Sequence, residues 1–263
     1  MNANEQPSQF KPLVVEETLK SDLWLACAPW FLPVLLLLTL TAVAQGQYIY
    51  STNADGITLT ITGYDGSGGE VSIPSTINDL PVTSIGSWAF YSTSVTNVTI
   101  PDSVTSIGEG GFAYCSSLTN VTIPDSVTSI GDWMFAFCSR LTKVYFQGNA
   151  PFADPFAFYG DCNATIYYLY ETTGWGPTFD GLPTALWLPQ AQTSDGSFGV
   201  QANQFGFNIN WANGTVVVVE ACTNLVNPVW SAVGTNTLTA GSSYFSDPQW
   251  TNYPGRFYRL RSP

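Results

Sequence analysis

The segment LTNVTIPDSVTSIGD beginning at Leu118 nearly duplicates VTNVTIPDSVTSIGE beginning at Val95, a step of 23 residues. LTKVYF at Leu141 keeps the same step. A fixed period in the twenties with apolar residues at L-x-x-V-x-I describes a coil that cannot bury its apolar side alone. Each copy needs a neighbour on which to stack, so the chain is constrained to a solenoid. A solenoid displays a surface, whereas most enzymes enclose a pocket. The pattern therefore points towards binding or scaffolding.

Within each copy the side chains divide by face. Val95, Val98 and Ile100, and their equivalents Leu118, Val121 and Ile123, are expected to point inward. Pro101 and Pro124 end the strand because proline cannot donate to a ladder. The following S-V-T-S-I-G-x-x-x-F run supplies further inward residues, Val104, Ile107 and Phe112 in one copy and Val127, Ile130 and Phe135 in the next. Gly108 and Gly131 are read as the points of backbone freedom at which the coil turns. A copy with a four-residue insertion, Asn78–Pro81, starts at Val71, and a fifth, weaker copy starts at Ala164. The alternating stretches between Gln47 and Ile73 read as a cap sealing the first rung.

Composition supports this. Only 10% of the 263 residues are charged, while Thr, Ser, Asn and Gly abound, which suits stacked β-structure with uncharged polar faces. A net charge of −12 argues against a nucleic-acid footprint and against attraction to anionic lipid. There is no histidine, which removes His-based acid–base catalysis and the commonest transition-metal ligand. No C-x-x-C or His/Cys cluster suggests zinc, and no nucleophile elbow, phosphate loop or dinucleotide fingerprint occurs. The expectation is a non-enzyme without metal or cofactor.

Residues 23–44 are apolar and end in Ala42-Val43-Ala44, the pattern of a signal peptide cut before Gln45. The stretch is also long enough to remain as an uncleaved anchor, which would be the chain's one membrane contact. Either way the chain is expected to be exported. The organisation expected is residues 1–44 as signal peptide or anchor, 45–187 as solenoid with its cap, 188–199 as a polar linker, and 200–263 as a C-terminal module. In that module FGFNINW, GTVVVVEAC, VWSAVGTN, SYFSDP and RFYRLRS alternate as strands of a small antiparallel β-sandwich. The fold class is thus mainly β: a short leucine-rich-repeat solenoid with a parallel strand ladder, followed by that sandwich. Trp211, Trp230 and Trp250 are expected to pack rather than to form a ligand platform.

The repeat I-P-x-S-V-T-S-I-G-x-x-x-F-x-x-C-x-x-L-T-x-V across Val71–Phe146 resembles the bacterial BspA-type leucine-rich repeats of secreted and surface proteins. That resemblance implies a right-handed solenoid with parallel strands on one face, no catalytic residue in the repeat, and roles in adhesion and protein binding. The C-terminal unit, with EACTNLVNPVW, SYFSDP and RFYRLRSP, is similar to a module that ends many exported bacterial proteins, which implies attachment, sorting or spacing.

The candidate binding residues are the outward positions of the strand ladder: Thr96, Asn97 and Thr99; Thr119, Asn120 and Thr122; Thr142, Lys143 and Tyr145. Four to five rungs at about 4.8 Å give this face a height of about 20 Å. Thr also favours strands for its own sake, so the columns have a plain structural explanation too. The partner expected is an extracellular protein or a glycan. A glycan is favoured if Trp and Tyr line one exposed face. Cys115 and Cys138 are rung-equivalent, either as a disulfide in an oxidising compartment or as two small buried side chains. Asp102 with Asp125, and Glu109 with Asp132, are rung-equivalent acids that either hold Ca²⁺ or are simply solvated.

Overall fold

The computed structural model describes residues 47–160 and 163–263. The apolar segment 23–44 with its expected cleavage site, Cys27 and Cys162 lie outside the described residues.

Two ladders of parallel strands run up the solenoid. One contains Gly69–Ser72, Val95–Thr99, Asn120–Ile123, Lys143–Phe146, Thr165–Tyr168 and Leu182–Leu186. Its register places Val98 beside Val121, Val121 beside Val144 and Val144 beside Ile166, so equivalent residues stack as the repeat requires. The other ladder contains Leu59–Tyr64, Leu80–Ile85, Ser106–Ile107, Ser129–Ile130 and Phe152–Ala153. Tyr48–Thr52 pairs antiparallel with Leu59–Tyr64 and covers the first edge of this second ladder. Leu182–Leu186 adds a final parallel strand beyond the weak copy at Ala164, a rung that the repeat does not announce.

All twelve residues expected inward are buried in one continuous core. Its spine is a column of rings, Tyr64, Phe90, Phe112, Phe135 and Phe158, stacked with centroids 4.8–5.6 Å apart. Such offset stacks add about 0.5–1.5 kcal/mol per pair beyond the area buried. Cys115 and Cys138 occupy the same core as two buried thiols. Cys115 Sγ donates to Phe90 O at 3.0 Å and Cys138 Sγ to Phe112 O at 3.1 Å. The neighbouring Cys138 side chain, with help from Thr93, holds the Cys115 thiol below its ordinary value despite burial.

The role expected of Gly108 and Gly131 is corrected by the structure. Neither has a positive φ. A Cβ on Gly108 would lie 2.8 Å from Ser87 N, and one on Gly131 would lie 2.7 Å from Glu109 N. These glycines let one rung approach the backbone of the rung before it. The left-handed turns belong instead to bulky residues a few positions further on, described below.

The C-terminal module consists of two antiparallel sheets. Gln204–Asn210 is the centre of one, paired with Ser242–Asp247 and also with Gln190–Ala191 and Gly199–Gln201. Val216–Cys222 is the centre of the other, between Ser231–Thr237 and Phe257–Arg261. Period-two alternation sends Phe207, Ile209, Val217 and Val219 into a shared core with Leu238 and Phe245. Residues 188–199 are therefore not a free linker. They supply a two-residue strand, and Asp195 accepts from Ser197 and from Asn208 Nδ2, tying this turn to the sheet. A polar composition concealed those bonds, because strand pairing needs only backbone groups.

Two carboxylates are buried here, and both are paired. Asp247 meets Arg256 at 2.7 Å and accepts from Tyr258 Oη at 2.8 Å. Glu220 lies between Arg259 and Arg261, and the hydrogen bond from Arg259, with that from Arg261 and their charge, holds its carboxyl below the usual range. The tryptophans pack as expected. Trp211 donates Nε1 to Trp187 O at 2.8 Å, Trp250 donates to Asn203 O, and Trp230 lies against the Arg259 guanidinium. Trp187 and Leu169 of the solenoid end pack on the module's core.

Candidate functional site

The expected strand face is less open than its sequence suggests. Thr99, Thr142 and Lys143 are exposed, while Thr96, Asn97, Thr119, Asn120, Thr122 and Tyr145 are half-buried. Part of its hydrogen-bonding capacity is used internally. The Thr119 hydroxyl donates to Thr96 O at 3.1 Å, and the Thr142 hydroxyl to Thr119 O at 3.2 Å. Tyr145 lies between Tyr167, 5.2 Å away, and Trp187, 4.5 Å away. Trp187 in turn packs on the C-terminal core, so Tyr145 belongs to the junction with the module. What remains open is a polar hollow of 370 Å³ lined by Glu70, Ser72, Asn97, Thr99, Asn120 and Thr122. Asn97 Oδ1 is buried there without a hydrogen-bond partner.

Asp102 and Asp125 line a cleft with Gln147 and Asn213 at the module junction. Among the described residues no three His, Cys, Asp or Glu side chains converge as a metal site would require. The C-terminal module carries a separate apolar groove of 770 Å³, lined by Leu188, Phe198, Phe205, Trp230 and Leu260 among others.

The most unusual surface lies at the turns that follow Gly86, Gly108, Gly131 and Asp154. Each turn alternates its aromatic residues, one into the core column and the next outward. Phe90 is in and Tyr91 out, Phe112 in and Tyr114 out, Phe135 in and Phe137 out, Phe158 in and Tyr159 out. Trp88, Trp133 and Phe156 join the outward set, each two residues before the inward Phe of its turn. The outward rings touch across rungs, with Tyr91–Tyr114 at 5.4 Å, Tyr114–Phe137 at 4.7 Å and Phe137–Tyr159 at 5.5 Å. Trp88 extends the belt at one end through Tyr91, and Trp133 and Phe156 extend it at the other through Tyr159. Trp88, Tyr91, Tyr114, Phe156 and Tyr159 are each 43–54% exposed.

These rings are held in costly backbone. Trp88, Tyr114, Trp133, Phe137 and Phe156 all have φ between 59° and 70°. A left-handed conformation costs an L-residue about 1–2 kcal/mol, and for a bulky residue it is a true outlier. Glycine fits the same places, as Gly110 and Gly160 show at φ 59° and 85°. Gly110 also has a spatial role, since a Cβ there would lie 2.4 Å from the Trp88 ring that covers it. Rung-to-rung bonds over-determine the strained turns. Trp88 N donates to Glu109 O, Gly110 N to Asp132 O, Phe112 N to Met134 O and Tyr114 N to Ala136 O, all at 2.8–2.9 Å. Aromatic side chains thus stand in strained backbone and, on the outward side, leave much of their surface in water. Neither intrinsic preference nor core packing accounts for that choice.

This belt is absent from the residues that the sequence nominates as a site. The available signal was the recurrence of aromatics at turn positions: Trp88, Trp133 and Phe156 in one column, Tyr114 and Phe137 in a second, and Tyr91 and Tyr159 in a third one residue before it. A 23-residue alignment weighted on the buried V-x-I pattern treats those positions as variable.

Comparison with known proteins agrees with the repeat architecture. A family model described as the BspA type leucine-rich repeat region matches residues 69–173, in six copies. A leucine-rich repeat protein of known structure from Bacteroides capillosus ATCC 29799 is 35% identical, over 47% of this chain and 94% of that one, with a TM-score of 0.43. The chain belongs to the BspA-type leucine-rich repeat family. A leucine-rich repeat protein of T. pallidum is 25% identical over 46% of this chain and 68% of its own, with a TM-score of 0.37. A leucine rich cell surface protein from Faecalibacterium prausnitzii A2-165 is 27% identical over 54% of this chain and 46% of its own, with a TM-score of 0.39. No curated protein matches the chain. The BspA-type region, 69–173, contains both the strand-face hollow and every ring of the outer belt.

Proposed function

We propose that this BspA-type protein is an exported, non-catalytic binding protein of the bacterial surface, and that it engages its partner through the outer turns of the solenoid. The observation that carries this reading is the belt of seven aromatic residues from Trp88 to Tyr159, of which Trp88, Tyr114 and Phe156 are exposed in left-handed backbone where glycine would be cheaper. Monomeric proteins seldom leave a contiguous apolar patch in water without using it for recognition. Export is supported by the apolar segment ending at Ala44 and by the cell-surface description of the Faecalibacterium prausnitzii relative. The absence of histidine fits a protein that holds a partner rather than transforming one.

The strand face is a second reading, supported by the polar hollow and by the unpaired Asn97 Oδ1 within it. One experiment separates the two. The full chain is presented to a panel of immobilised matrix proteins and polysaccharides, beside a Tyr114→Ala/Trp133→Ala variant and a Thr99→Ala/Lys143→Ala variant. Capture lost only in the first variant supports the turn face. Capture lost only in the second moves recognition to the strand face. No capture by any bait refutes the binding role. Export is tested by N-terminal sequencing of the secreted or surface-held chain, which is expected to begin at Gln45 if the segment is cleaved.

A further inference from the structure

We infer that the outer aromatic belt is a docking strip for a neutral, extended polysaccharide, whose sugar rings stack on Trp88, Tyr91, Tyr114 and Trp133. The inference rests on the reading that the turn face binds, and it names the ligand class.

Repetition is the first argument. Successive outward rings are 4.7–5.5 Å apart because they sit on successive rungs. That step is of the same order as the length of one sugar unit in an extended β-linked chain. A polymer with a short translational repeat can place a similar contact on each rung. A folded protein surface has no such repeat, and would be matched at one or two rings only.

The chemistry of the lining is the second. Trp88, Tyr91, Tyr114 and Trp133 line a shallow trough of 380 Å³, with no aliphatic and no charged side chain among them. Pyranose rings present their axial C–H groups as weakly positive apolar faces, which suit the negative faces of aromatic rings. Protein-binding surfaces typically mix aromatics with Met and Arg, and neither lines this trough.

Charge is the third. The chain carries 19 acidic against 7 basic side chains, and the turns that hold the belt include Glu109 and Asp132. That field repels uronate-containing and sulfated polymers and leaves uncharged ones unaffected. Glu109 is exposed one residue before Gly110, and its backbone carbonyl accepts from Trp88 N, so that charge stands on the turn next to Trp88.

Rigidity completes the case. The turn amides are bonded from rung to rung, so the rings are ordered before the ligand arrives and little entropy is lost on binding. The Trp88 ring depends on Gly110 for its position, because a Cβ at Gly110 would displace it.

The test is affinity electrophoresis and pull-down of the full chain with β-linked glucan, xylan and mannan, with polygalacturonate as the charged control and matrix proteins as competing baits. The wild type should be retarded by at least one neutral polymer and not by polygalacturonate. Tyr114→Ala/Trp133→Ala should lose at least tenfold in affinity, Tyr114→Phe should keep most of it, and Gly110→Ala should lose part of it. Tyr114→Phe and the Tyr114→Ala/Trp133→Ala variant should keep a cooperative melting transition, and the affinity of Gly110→Ala is compared at a temperature where it remains folded, since its φ of 59° strains an alanine. Retention that survives the double substitution, equal retention by polygalacturonate, or no retention at all would each overturn the inference. Capture of a protein bait that depends on Tyr114 and Trp133, without polysaccharide retention, would overturn the ligand class while leaving the turn face as the binding surface.

Discussion

Gly131→Ala tests how the rungs are held together. A Cβ at this position lies 2.7 Å from Glu109 N, 2.9 Å from Gly108 C and 3.1 Å from Glu109 Cα, all backbone atoms of the preceding rung. Backbone cannot swing aside as the end of a side chain can. Restoring an ordinary contact of 3.4 Å means parting the two rungs locally by about 0.7 Å. The neighbouring bonds Gly131 N to Ile107 O at 2.9 Å and Gly110 N to Asp132 O at 2.8 Å would then stretch past useful length. Each such bond contributes about 1 kcal/mol net, and overpacking typically costs about 1–3 kcal/mol. Removing glycine's freedom in the unfolded chain returns about 0.4–1 kcal/mol. The net expectation is a loss of about 1–2 kcal/mol, or about 2–8 °C in melting temperature for a domain of this size. Urea and thermal denaturation followed by circular dichroism read this directly. Gly255→Ala is the control, because a Cβ there meets nothing within 4 Å and its φ is not left-handed. A Gly131→Ala protein as stable as wild type, within about 0.5 kcal/mol, would refute the close-approach account and restore a purely conformational role for this glycine.

Three further outcomes are expected. Phe135→Ala removes the middle of the buried ring column and should cost about 3–5 kcal/mol in urea denaturation, whereas Phe137→Ala, on the outward side of the same turn, should cost less than half as much. Burial, reinforced by Tyr64, pushes the Tyr48 hydroxyl up from 10.0 to about 12, so the folded state keeps its proton longer than the unfolded one. Stability from this group is complete below pH 10 and is lost as pH rises towards 12, and Tyr48→Phe should flatten that alkaline limb of the denaturation midpoint. Trp187→Ala removes the ring shared by Tyr145 and the C-terminal core, and should split a single calorimetric transition into two.

The inward half of the fold was legible because burial imposes periodicity. Val98, Val121 and Val144 had to stack, and a 23-residue step with V-x-I says so without coordinates. The sandwich was legible for a related reason, since FGFNIN and VVVVEAC alternate with period two. The segment 188–199 was not legible, because a two-residue strand and an Asp195–Asn208 bond leave no pattern in composition. Gly131 was misread because a glycine looks the same whether it provides a turn or room. The turn-face belt was hidden for a subtler reason. Phe112 and Tyr114 look alike in a sequence, and only the course of a tight turn decides which ring faces the core and which faces water.

Hydroxyl-radical footprinting of the full chain, free and saturated with a soluble β-linked glucan, tests the central claim most directly. In the free chain Trp88, Tyr91, Tyr114 and Tyr159 should oxidise readily, and Phe112 and Phe135 should not. With glucan bound, protection should fall on Trp88, Tyr91, Tyr114 and Trp133 and leave Lys143 and Tyr145 unchanged. Protection confined to Tyr145 and its neighbours on the strand face, or no change on any of the outer rings, would contradict the account.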